Sequence, residues 1–141
     1  MQKDSLGFLI TDVSRLMRRH FQRYLQDSSL TLAQARALVY VSRHEGVRQV
    51  DLADMLEIQP ITLARLLDQL EKADLVERRP NPTDRRAHQV YLAAGAAVQL
   101  AIIEQVGSRI KKEALQSIHA EQAEGLMETL RTIRHNLCDT R

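Results

Sequence analysis

QVDLADMLEIQPITLARLLDQLEKADLVERRPNPTDRRAHQVYL, residues 49–92, carries two helical patterns and one hairpin pattern in close succession. From about Gln49 to Leu56, residues Leu52, Ala53 and Leu56 recur at the spacing of one helix face. A second helical pattern begins at Pro60, which suits a first turn because its missing N–H would have no partner there. It runs to about Ala73 with Leu63, Leu66, Leu67 and Leu70 facing inward. Only Glu57, Ile58 and Gln59 separate the two, which is the spacing of a helix-turn-helix. The period then changes: Leu75–Arg79 reads as a strand and Gln89–Leu92 as its partner. The loop between them, Pro80–Ala87, contains two prolines. From Glu77 to His88 there are four arginines (78, 79, 85 and 86) against two acids (77 and 84). A basic, proline-stiffened hairpin directly after a helix-turn-helix is a wing.

Helical spacing continues on both sides. Leu6, Ile10, Val13, Met17, Phe21 and Tyr24 form one face of a helix over about Leu6–Gln26, which Asp27, Ser28 and Ser29 end. Thr31 and Gln34 form a capping-box pattern that predicts a helix from Leu32 to about His44, stopped by Gly46. After Gly95, Val98, Ile102, Val106, Ile110 and Ala114 recur every four residues, and Leu126, Leu130, Ile133 and Leu137 mark a last helix. The fold class expected is therefore mostly α with a small β-hairpin wing (α+β): a winged helix-turn-helix with N- and C-terminal dimerisation helices. The chain reads as a single domain, 1–141, with the winged helix-turn-helix over about 30–92 and the dimerisation helices in 1–29 and 93–141. One copy cannot easily cover both terminal stripes, so Leu6, Leu9, Leu126, Leu130, Ile133 and Leu137 are expected to meet a second copy.

Composition agrees. Hydrophobic residues make up 44% of the 141 and charged residues 27%, which is the balance of a folded, water-facing chain rather than a disordered one. Aromatics are 4% and tryptophan is absent, which favours helices packed by aliphatic side chains. The net charge of +2 is too mild to point to a nucleic-acid partner alone, so its distribution decides. A single cysteine, Cys138, excludes an internal disulfide and suits a reducing compartment. No stretch approaches the ~20 apolar residues needed to span a bilayer, and no export signal stands at the N-terminus, so a cytoplasmic location without membrane contact is expected. Metalloprotease, paired-cysteine, phosphate-loop and nucleophile-elbow motifs are missing, and His20, His44, His88, His119 and His135 lack ligand spacing. No catalytic residue, metal or cofactor is expected.

Reading a DNA major groove calls for short polar side chains at the exposed start of the second helix of the motif, plus a long donor. Gln59, Ile61, Thr62 and Arg65 occupy that edge. Arginine can grip guanine O6 and N7, glutamine can pair with adenine, and Ile61 can touch a thymine methyl. Gln69, one turn on, suits a phosphate. On an isolated helix such an edge is usually a solvated face. The Pro60 start, the short helix before it and the wing after it favour recognition here. Arg85 and Arg86 at the wing suit a narrow minor groove, where negative potential concentrates. Arg78 and Arg79 have two readings, phosphate contact or pairing with Glu77. The run Arg15, Arg18, Arg19 and Arg23 also has two: a solvated face, or a clamp for a carboxylate.

In this order, Leu52-Ala53 with Leu56, then Arg65–Glu71, Leu75–Arg78, Asp84-Arg-Arg-Ala87, Val90 and Leu92 resemble the MarR family of winged-helix regulators, nearest to its SlyA-like branch. The resemblance spans nearly the whole chain in element order. It implies a homodimer bound to a pseudo-palindromic double-stranded DNA operator, usually as a repressor. It implies that Arg86 enters the groove while Asp84 orients an arginine or holds the turn. It also implies a small aromatic anion as effector, held between the dimerisation helices and the DNA-binding part, for which Arg15, Arg19 and Phe21 are the candidates. Three positions depart from the family pattern: Glu57 and Asp74 stand where glycine is usual, and Ala93 where threonine is. A winged helix can also bind a partner protein, but an arginine-poor wing would suit that better. A metal-responsive regulator lacks its ligands in this sequence.

Overall fold

Local capping sets the first helices. The computed structural model describes residues 3–84 and 86–138. Ser5 Oγ accepts the Phe8 N–H at 3.1 Å and starts α1 (Leu6–Tyr24). Thr31 Oγ1 accepts the Gln34 N–H at 3.1 Å while Gln34 Oε1 accepts the Thr31 N–H at 3.0 Å, so the expected capping box opens α2 (Leu32–Arg43). Then come β1 (Val47–Arg48), α3 (Gln49–Leu56), α4 (Pro60–Lys72), β2 (Val76–Pro80), β3 (His88–Leu92), α5 (Ala96–Ala114) and α6 (Ala120–Leu137). The mostly helical winged fold expected from the sequence is the one observed.

Two left-handed residues make the turns sharp. Glu57 ends α3 with φ 56° and ψ 42°. This lets the Ile58 N–H reach back to the Ala53 carbonyl at 3.1 Å and the Glu57 N–H to that of Asp54 at 3.1 Å. Asp74, at φ 59°, repeats the device after α4: the Leu75 N–H reaches the Leu70 carbonyl at 2.9 Å. These are Schellman closures, usually built on glycine, and they spend the left-handed conformation on residues with a Cβ. Leu75 is thereby drawn into the helix ending, so β2 starts at Val76, one residue after the expected strand start.

The sheet has three strands in the order β1-β3-β2, all antiparallel, instead of the hairpin alone. Val47 pairs with Val90 and Arg48 with Gln89. A two-residue strand has no readable period, and so β1 was silent in the sequence. β2 is also bound to α4 through Arg78, whose guanidinium donates from Nη2 to Asp68 and from Nε to Glu71. Partial burial opposes the charge of Arg78, but the two carboxylates outweigh it and hold the guanidinium above its ordinary pKa.

The described chain forms two compact units, one ending at Gly107 and the other beginning at Ser108. In the first, Leu38, Val41, Leu52, Leu63, Leu67 and Val90 are each 0% exposed and form the centre of one apolar cluster. In the same unit α1 buries no residue of its own, and Leu6, Phe8, Leu9, Ile10 and Val13 stay exposed. In the second unit α6 likewise buries none, leaving Leu126, Leu130 and Leu137 exposed and Ile133 half-buried.

Glu57→Gly is expected to stabilise the fold by about 0.5–1 kcal/mol, because glycine carries no left-handed penalty. Gly95→Ala should do the reverse by more than ~1 kcal/mol, since a Cβ there would lie 2.7 Å from the Asp74 carbonyl oxygen. Urea midpoints at one fixed protein concentration check both, and an unchanged midpoint for Glu57→Gly would refute the strain.

Candidate nucleic-acid interface

Core packing orients α4. Leu63, Leu66, Leu67 and Leu70 are buried, which turns Gln59, Ile61, Thr62, Arg65 and Gln69 outward, all exposed. Gln59 is the N-cap in extended conformation, and its side chain makes no capping bond, so the amide stays available to a ligand. Ile61 leaves 64% of its surface in water. Gln69 is the exception to full freedom: its Oε1 accepts from Gln34 Nε2 at 3.1 Å. Gln34 is the same residue that closes the capping box, so α2 steadies this end of α4. Among the described residues no acceptor takes the Gln69 amide hydrogens.

The wing holds itself by short-range bonds. The Asn81 N–H reaches the Ala87 carbonyl at 2.8 Å, and Asn81 Oδ1 accepts from the Thr83 N–H at 2.9 Å and from Thr83 Oγ1 at 2.8 Å. Asp84 Oδ1 accepts the Arg86 N–H at 3.0 Å. Asp84 is thus bonded to the backbone of its own turn. Arg86 is exposed, and no carboxylate among the described residues pairs with its guanidinium. Arg85 lies outside the described residues.

The other two wing arginines are already engaged. Arg79 Nε donates to Glu77 at 2.9 Å, and its guanidinium carbon stands 3.9 Å from the centre of the Tyr91 ring. The Arg79 hydrogen bond, with its charge, lowers the Glu77 pKa, and the same bond raises that of Arg79. Arg78 does not pair with Glu77, nor does it stand open to solvent. The Asp68 and Glu71 carboxylates hold it against α4, so its position in the free protein is that of a brace between wing and helix. Its partners lie seven and ten residues away in sequence, which is why spacing within the hairpin could not reveal them.

Between α4 and the wing lies a cleft of about 380 Å³. Arg48, Gln49 and Val50 from β1 and α3 line one side with Pro60 of α4, and Asp84, Arg86, Ala87 and His88 line the other. Arg48 and His88 were not singled out from the sequence, because β1 was not foreseen and a lone histidine carries no signal. Arg15, Arg19 and Phe21 all lie on α1. Arg15 is exposed and pairs with Asp12 at 2.8 Å, Arg19 is exposed, and Phe21 packs on the core. Cys138 is an exposed free thiol. Among the described residues no helix is long and apolar enough to cross a membrane, and no cluster of side chains could hold a metal.

Comparison with known proteins agrees with this geometry. The model of the MarR family matches residues 30–88. The reduced form of MarR from E. coli is 31% identical, with a TM-score of 0.76, over 94% of this chain and 98% of that one. A cysteine-to-serine mutant of E. coli MarR complexed with operator DNA is also 31% identical, with a TM-score of 0.69, over 91% of this chain and 92% of that one. A MarR transcriptional regulator from Methanosarcina mazei Go1 has the same fold at 21% identity, with a TM-score of 0.81 over 93% of this chain and 94% of that one. Matching in sequence, length and fold, the chain belongs to the MarR family of transcriptional regulators.

Proposed function

We propose that this regulator is a repressor that binds a pseudo-palindromic operator as a homodimer, with α4 in the major groove and Arg86 in the adjacent minor groove. The observation that carries the reading is the exposed edge Gln59, Ile61, Thr62 and Arg65 on a helix followed by a wing that presents Arg86 unpaired. The operator complex of a 31%-identical relative supports it. In this reading residues 30–92 form the DNA-binding part, and 1–29 with 93–141 supply the dimerisation helices. The runs Arg65–Glu71 and Asp84–Ala87 favour the SlyA-like branch. The cytoplasm, where such DNA is met, is its proposed location.

The exposed leucines of α1 and α6 support dimerisation, because apolar stripes of this extent are rarely left in water. Two copies place their α4 helices about one DNA turn apart, near 34 Å. Control by a small aromatic anion belongs to the same reading. Arg15, Arg19 and Phe21 of α1 are its proposed contacts, and a ligand could act only by favouring one spacing of the two α4 helices.

Three outcomes are expected. Light scattering should give a dimer at micromolar concentration, and Leu130→Asp or Leu6→Asp should yield monomer before helix content falls. A stable wild-type monomer would refute the assembly. Arg86→Ala should weaken operator binding with little change in thermal stability, while Arg65→Ala should cost about 1–3 kcal/mol of discrimination between operator and random DNA. Equal loss on both DNAs would make Arg65 a phosphate contact instead. Calorimetric titration of salicylate-like anions should show binding about tenfold weaker to the DNA-bound protein, the reciprocal of ~1.4 kcal/mol of coupling. Absence of saturable binding removes the effector from the reading.

A further inference from the structure

We propose that the cleft between α4 and the wing seats a phosphate of the bound DNA backbone between Arg48 and His88, and that this contact takes up a proton at His88. The proposal rests on the DNA-binding reading above. A major and a minor groove are separated by a strand of phosphates. If α4 lies in one and the wing in the other, the surface joining them must face that strand. The 380 Å³ cleft is this surface, and it carries positively charged or chargeable groups from two neighbouring strands, Arg48 of β1 and His88 of β3.

Among the described residues, two carboxylates stand near the cleft, Asp84 and Asp51. Asp84 Oδ1 is occupied by the Arg86 N–H at 3.0 Å, inside the wing turn. Asp51 pairs with Arg48 at 3.3 Å, but the two side chains are 54% and 53% exposed, and an ion pair so open gives way readily to a phosphate. Among the described residues, the charged groups facing His88 are therefore Arg48 with Asp51 behind it, and Asp84 and Arg86 of the wing. Gln49, Val50 and Pro60 bring no charge, and His88 is exposed, so a ligand can reach it. The histidine that gives no metal or catalytic signal finds a use here.

The sign of the pH effect follows from charge. A phosphate beside an imidazole favours the imidazolium, so DNA binding takes up a proton and affinity rises as pH falls. Phosphate contacts do not depend on sequence, and a ~30-base-pair duplex of mixed sequence at low salt is a sufficient probe. Fluorescence anisotropy should show wild-type protein binding about fivefold more tightly at pH ~6 than at pH ~8. His88→Gln should remove that difference, although the other four histidines remain. His88→Arg should bind tightly at both values, and Arg48→Gln should lower the salt slope by about one counterion. If His88→Gln keeps the wild-type pH dependence, or His88→Arg binds no better than His88→Gln at the higher pH, the proposal is overturned. Millimolar saturation of the His88 imidazole resonances by inorganic phosphate, with pH-independent duplex binding, would assign the cleft to a free anion and overturn it too. Failure of wild-type protein to bind the duplex at any pH would instead refute the DNA-binding reading itself.

Discussion

Four leucines on one side of α4 hold the rest of the site in place. Leu63 and Leu67 are 0% exposed, Leu70 is 1% and Leu66 is 9%. Each buried leucine contributes about 1.5–3 kcal/mol, so rotating α4 to present another face would expose several kcal/mol of apolar surface. No polar contact on the outer face competes with that. The orientation of Thr62 and Arg65 toward solvent is thus a consequence of core packing.

Two constraints set where this helix begins and what stands beside it. The left-handed Glu57 turns the chain sharply enough for three residues to join α3 to α4, at a steric penalty that a glycine would avoid. Arg78 then fastens β2 to Asp68 and Glu71 of α4. Helix and wing are held in one relationship by a guanidinium and two carboxylates, reinforced by Leu75 and Val76 in the core. On the proposed reading that rigidity has a functional side, because a DNA duplex offers its two grooves at one fixed separation. A wing free to swing would lose entropy on each encounter.

Charge on this surface is divided between anchored and free arginines. Arg78 and Arg79 are neutralised by partners within the fold and shape the hairpin, whereas Arg86 carries its charge outward. A count of arginines in the hairpin overstates its electrostatic reach.

Periodicity alone determined the helices, the three-residue turn, the capping box at Thr31 and the inward leucines of α4, because each depends on residues within one or two helical turns of one another. It also marked the outward edge Gln59, Ile61, Thr62 and Arg65, which is simply the complement of the buried face. The partners of Arg78, the Gln34–Gln69 bond, the strand β1 and the cleft that Arg48 and His88 both line were decided by tertiary structure. They join elements up to forty-odd residues apart, with no local period to announce them. Which arginine is a brace and which is offered to a ligand depends on the carboxylate that the fold carries to it, and sequence order does not encode that proximity.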